Sequence, residues 1–82
     1  MTLTTAVLLF ARYADELGAA TVTVTVPAPA TAGDVLAAVL ALPGADRLPR
    51  SPLIAVNQRY ASPSDAVAPG DEIALIPPVA GG

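Results

Sequence analysis

The residues with the clearest chemistry stand at the end of the sequence, Pro77-Pro78-Val79-Ala80-Gly81-Gly82. Gly81 and Gly82 lack a Cβ, so they form the thinnest backbone a protein can present. Pro77 and Pro78 cannot donate to a β-ladder and favour a polyproline conformation, which should lift the chain off a sheet rather than let it fold back. Six residues reach at most about 20 Å when extended. The pattern reads as a carboxylate on a stiff stem with a narrow tip, shaped to be fed into a deep pocket on another protein. An unperturbed terminal carboxyl has a pKa of roughly 3.3–3.7 and is ionised at neutral pH. As a carboxylate it is inert to nucleophiles. Converted to an acyl-adenylate it acquires a good leaving group and invites attack by sulfur or an amine; sulfur gives a thiocarboxylate.

The side chains offer little rival chemistry. Cys and His are absent, which excludes a disulfide, a zinc site of Cys/His type, a cysteine nucleophile and a Ser-His-Asp triad. All four cations are arginines (Arg12, Arg47, Arg50 and Arg59), set against seven acids for a net charge of -3. Without lysine there is no Schiff-base chemistry, and without a basic patch nucleic-acid binding is not expected. The arginines are too scattered for a phosphate site, although Arg12 or Arg59 could pair with an acid on a partner. Asp71 and Glu72 are adjacent; on a strand they would point to opposite faces and make a poor acid–base pair, so they read as solvated turn residues. The only sulfur is the Met1 thioether, which cannot be handed over as sulfide. No metal site and no catalytic side chain are expected.

The elements that would carry such a tail follow from periodicity. Leu3 to Phe10 reads as a strand, and its run Val7-Leu8-Leu9-Phe10 fits a central position flanked by other strands. Ala11 to Leu17 reads as a short helix stopped by a left-handed Gly18. Thr21 to Val26 alternates strictly, valines to one side and threonines to the other, and is the clearest strand, ended by Pro27 and Pro29. The main helix follows, with Thr31 as N-cap, Asp34 returning a hydrogen bond, and an apolar stripe of Val35, Leu36, Val39 and Leu40. Pro43-Gly44 ends it, and Arg47 to Pro52 reads as a surface loop. Leu53-Ile54-Ala55-Val56 is a third strand, turned at Asn57-Gln58-Arg59 into Tyr60-Ala61, with Asn57 adopting a left-handed conformation. Pro69-Gly70 fits a type II turn ahead of a closing strand, Glu72 to Ile76.

Two strands, a crossing helix and two or more strands describe an α+β domain. With the first and last strands side by side in mid-sheet, the helix fills the hollow of a β-grasp: a mixed sheet packed on one main helix, with a protruding C-terminal tail. Residues 1–76 form the expected domain and 77–82 the tail. The longest unbroken apolar stretch, Val35 to Leu42, is far short of the roughly 18–20 residues that span a bilayer. No positive residue precedes an apolar segment at the start, so no secretory signal is read and a cytoplasmic location is expected. Only 13% of residues are charged, against about 25% in a typical soluble domain. So sparse a charge cover points to a surface that meets another protein.

The closing segment, Gly70-Asp71-Glu72-Ile73-Ala74-Leu75-Ile76-Pro77-Pro78-Val79-Ala80-Gly81-Gly82, resembles the C-terminal signature of the small, sulfur-carrier subunit of molybdopterin synthase. Leu8-Leu9-Phe10-Ala11 with Asp15-Glu16-Leu17 is similar to that family's first strand and helix, and Leu53-Ile54-Ala55-Val56-Asn57-Gln58 to its third strand and turn. Thr31 to Arg50 matches only in pattern. The resemblance implies a β-grasp, ubiquitin-like fold and a large synthase subunit as partner. It implies an adenylating enzyme that consumes ATP and a sulfur donor, with no cofactor bound by the carrier itself. Gly82 would bear the sulfur as a thiocarboxylate and deliver it to cyclic pyranopterin monophosphate, with Gly81 its slender neighbour and Pro77, Pro78, Val79 and Ala80 completing the inserted tail. Phe10, Tyr60 and Ile76 would lie on the partner-facing surface. The sulfur carrier of thiamine biosynthesis shares the fold and the Gly-Gly ending, but its tail usually lacks the preceding Pro-Pro. Other sulfur-transfer pathways, a ubiquitin-like modifier joined through Gly82 to a target lysine, and an interaction domain with an inert tail complete the alternatives.

Overall fold

A computed structural model describes residues 1–48 and 52–77, without the Arg47 side chain. Arg50 and five of the six expected tail residues, Pro78, Val79, Ala80, Gly81 and Gly82, lie outside the described residues.

The threonine–valine alternation forms a strand as expected, and it lies at the edge of the sheet. Strand β2 (Thr21–Pro27) pairs antiparallel with β1 (Thr2–Leu9), turning Val24 and Val26 into the core and the threonines to solvent. Pro27 is the last residue of β2, opposite Thr2. In β1, Leu3, Val7 and Leu9 are buried, while Ala6 and Leu8 face the other way. The continuous apolar run thus serves both faces, because β1 also pairs in parallel with the closing strand β7 (Ile73–Ile76). Strands β4 (Leu53–Val56) and β5 (Arg59–Ala61) complete a five-stranded mixed sheet in the order β2-β1-β7-β4-β5.

Helix α1 (Arg12–Leu17) ends at Gly18, whose φ of 69° supplies the left-handed cap. Helix α2 (Ala32–Leu40) starts in a reciprocal capping box: the Asp34 N–H donates to Thr31 Oγ1, and the Thr31 N–H donates to Asp34 Oδ2. Ala32, Val35 and Val39 are fully buried against the sheet, with Leu36 and Leu40 flanking them half-buried. The result is a β-grasp, with the core between α2 and one face of the sheet.

The structure departs from the sequence reading in four places. A two-stranded ribbon, β3 (Ala30–Thr31) with β6 (Ala66–Val67), joins the start of α2 to the segment ahead of β7. The expected surface loop from Arg47 begins within a 3-10 turn, Ala45–Arg47, and Ala45 and Leu48 are buried; they close the core below α1. Tyr13, not singled out in the sequence, is the largest fully buried side chain. Burial pushes its phenol pKa above the ordinary value. Finally, β7 starts at Ile73, so Glu72 precedes the strand.

Candidate functional site

The face of the sheet opposite α2 carries a row set by register. Leu8 on β1 pairs with Ala74 on β7, Ala74 with Ala55 on β4, and Ala55 with Tyr60 on β5. Two alanines in the middle of this row leave the sheet floor low, with large side chains at both ends. The next residues on the same face, Phe10 and Ile76, stand two positions on from Leu8 and Ala74 and raise the rim. The outcome is an open, mainly apolar depression of about 390 Å³ lined by these six residues together with Gln58 and Glu72.

The three residues expected at a partner surface therefore come together. Phe10 is 48% exposed and Tyr60 73% exposed, while Ile76 is half-buried. Phe10 follows the last residue of β1; its N–H donates to the Leu75 carbonyl (3.3 Å), which ties it to β7. Immediately after it, Ala11 adopts φ 50° and ψ -120°, and the Tyr13 N–H closes a turn onto the Phe10 carbonyl (3.1 Å). Large aromatic groups left in water around one apolar floor mark a contact surface rather than a core. The sequence reading missed Leu8, Ala55, Ala74, Gln58 and Glu72. A period-two count backward from Phe10 and Ile76 finds Leu8 and Ala74; Ala55 needs the register.

A polar clamp braces one end of the depression. Asn57 and Gln58 both have positive φ (53° and 69°) and turn β4 into β5. The left-handed Asn57 was expected, but its side chain does more than serve its own turn. Its Nδ2 donates to Asp71 Oδ1 (3.0 Å) and its Oδ1 accepts the Glu72 N–H (3.0 Å), while its own N–H donates to the Glu72 carbonyl (2.8 Å). Asp71 Oδ2 accepts the Ala68 N–H (2.8 Å) across the turn at Pro69-Gly70, where Gly70 has the φ of 88° that a type II turn requires. The Ala68 N–H and then the Asn57 amide stabilise the anion, so the Asp71 carboxyl sits below its ordinary range. Asp71 is thus a turn residue as expected, held by hydrogen bonds rather than merely solvated.

The root of the tail lies at the other end of β7 from this clamp. Ile76, the last residue of β7, lines the depression, and half-buried Pro77 follows it. Among the described residues there is no group of three or more His, Cys, Asp or Glu placed to hold a metal. No helix among them is long and apolar enough to cross a membrane. Arg12 meets Glu16 at 4.0 Å along α1, a pair of little energetic weight with Arg12 exposed and Glu16 half-buried, and Arg59 is exposed on β5.

Comparison with known proteins agrees with this architecture, since residues 7–82 match the model of the ThiS family. The chain belongs to the ThiS family. This ThiS-family chain is 37% identical over 79 residues to the molybdopterin synthase sulfur carrier subunit of Chlamydomonas reinhardtii, covering 93% of this chain and 95% of the relative. It is 35% identical over 77 residues to the subunit of the same name from Arabidopsis thaliana, covering 93% and 80%. Its fold superposes on the crystal structure of SAMP1 from Haloferax volcanii with a TM-score of 0.80 and 36% identity, covering 96% of this chain and 99% of that one.

Proposed function

We propose that this ThiS-family chain is a sulfur carrier in molybdopterin biosynthesis, working through the carboxyl of Gly82. An adenylating enzyme lets that carboxylate attack the α-phosphorus of ATP, releasing pyrophosphate. A sulfide-level donor then attacks the acyl carbon through sulfur and AMP leaves. Hydrosulfide gives the thiocarboxylate directly, whereas a persulfide gives an acyl disulfide whose S–S bond a thiol reductant cleaves. The carrier holds no cofactor of its own. In the cytoplasm the large synthase subunit seats the depression around Phe10, Tyr60 and Ile76. The tail from Pro77 through Pro78, Val79, Ala80 and Gly81 enters its active site, where Gly82 gives up sulfur to cyclic pyranopterin monophosphate.

The observation that carries this reading is the meeting of two features at Ile76. The exposed apolar depression and the root of the tail share Ile76, so a protein seated on the depression meets the tail where it begins. The identity to relatives named molybdopterin synthase sulfur carrier subunit supports this pathway. A second reading, as a protein modifier, is favoured by the likeness to SAMP1, since a Haloferax volcanii structure 32% identical to this chain is named small archaeal modifier protein 1.

One experiment separates the two. The chain is co-expressed with an adenylating enzyme and a sulfur donor, and intact masses are recorded. Exchange of one oxygen for sulfur on this chain supports the carrier. Conjugates on other proteins without that exchange support the modifier, and no change on any protein contradicts both.

A further inference from the structure

The depression has a charge pattern as well as a shape, and among the described residues a single side chain sets it. We infer that Glu72 is a specificity-determining residue of this docking surface: its carboxylate selects a partner that presents an arginine or lysine beside the apolar group filling the depression. The inference rests on the docking reading above and adds the chemistry by which the partner is chosen.

Among the described residues, every other one lining the depression is neutral, so of these Glu72 alone gives that surface a sign. Glu72 also lines the adjoining hollow with Thr4, Thr5 and Asp71, which places it on the wall between the two. Its backbone is held on both sides by Asn57, through its N–H (3.0 Å) and its carbonyl (2.8 Å), so the carboxylate swings from a fixed post. Among the described residues it has no cationic partner; the ion pair found there joins Arg12 to Glu16. Arg59 is paired with Val56 and so alternates to the face opposite Tyr60.

Complementarity follows from these placements. A flat apolar contact closing over the wall brings Glu72 into a less polar setting, where an unmatched carboxylate opposes association. A cation on the partner offsets that penalty and steers the encounter, whereas an acid at the same place repels. Apolar filling supplies the hold, and Glu72 supplies the choice.

The test compares association and dissociation rates with the large synthase subunit for the wild-type chain, Glu72→Gln, Glu72→Arg and Phe10→Ala, at low and high ionic strength. Because Glu72 makes its hydrogen bonds through the backbone, both variants keep the fold, which circular dichroism checks. At low salt, association should slow about threefold for Glu72→Gln and about tenfold or more for Glu72→Arg, with dissociation little changed. High salt should shrink both differences, since exposed charges are then screened. Phe10→Ala should instead speed dissociation at both salts. If the Glu72 variants associate like wild type at low salt while Phe10→Ala weakens binding, the inference is overturned and the docking reading stands. If the wild-type chain does not bind the subunit, both fall.

Discussion

Replacing Ala11 with glycine should stabilise the protein, against the usual direction for an Ala→Gly change. Ala11 has φ 50° and ψ -120° at the first central position of a turn closed by the Tyr13 N–H and the Phe10 carbonyl. This is the type II′ geometry, in which glycine dominates because a Cβ is crowded there. Holding a residue with a side chain in so sparsely populated a region costs about 1–3 kcal/mol. Glycine forfeits about 0.5–1 kcal/mol through the greater freedom of the unfolded chain. The difference is a net gain of about 1 kcal/mol at mid-range and at most about 2.5 kcal/mol. At about 4–8 °C per kcal/mol for a domain of this size, a clear rise in Tm is expected. Thermal melts and urea titrations with an unchanged m-value provide the assay. Because Phe10 stays tied to Leu75, affinity for the large subunit should not move. An unchanged or lower Tm at the same m-value would refute the reasoning that Ala11 is strained to deliver Phe10.

Other perturbations address the surface, the clamp and the tip. Tyr60 is 73% exposed, so Tyr60→Ala should leave stability within about 0.5 kcal/mol. An aromatic ring covered by a partner is worth about 1.5–2 kcal/mol after imperfect coverage is allowed for, so Kd for the large subunit should rise roughly 10- to 30-fold; a fall in Tm with Kd unchanged would assign Tyr60 to the fold. Asp71 holds its proton less readily folded than unfolded, so its contribution is present above its ordinary value near 3.8 and is lost as pH falls through the lower folded value. Asp71→Asn should therefore flatten the loss of stability in that acid window, read from urea midpoints against pH; an undiminished slope would dismiss the Asn57–Asp71 clamp. Deleting Gly82 should abolish sulfur delivery while leaving Tm and partner binding nearly intact, and a protein unfolded by that deletion would count against a tip outside the core.

The local chemistry of single positions was the most legible part of the fold. Thr31 and Asp34 announce their capping box because each needs the other three residues away, and Gly18, Asn57 and Gly70 announce turns because few residues tolerate positive φ. Strict alternation declared β2. The run Val7-Leu8-Leu9-Phe10 was legible as a strand but not as a pair of faces, since an unbroken apolar run carries no phase. Pairing with β7 supplies that phase, putting Val7 and Leu9 inside and Leu8 and Phe10 outside. The β3–β6 ribbon has two residues per strand, too few to leave a periodic trace, and only the pairing of Ala30 with Val67 and Thr31 with Ala66 reveals it. Leu48 sat unnoticed among prolines and arginines although it closes the core. Of the candidate site, Phe10, Tyr60 and Ile76 could be named from the resemblance. The floor made by Ala55 and Ala74 could not, because a small residue signals a hollow only when its neighbours across the sheet are known.

The claim that the terminal carbon is the working group is tested most directly by fragment masses. The chain is incubated with its adenylating enzyme, ATP and a sulfur donor, then cleaved with trypsin. The peptide that begins after Arg59, at Tyr60, contains the whole tail. The account predicts one oxygen replaced by sulfur, localised by fragmentation to Gly82; an unaltered peptide, or sulfur found at any other residue, would contradict it.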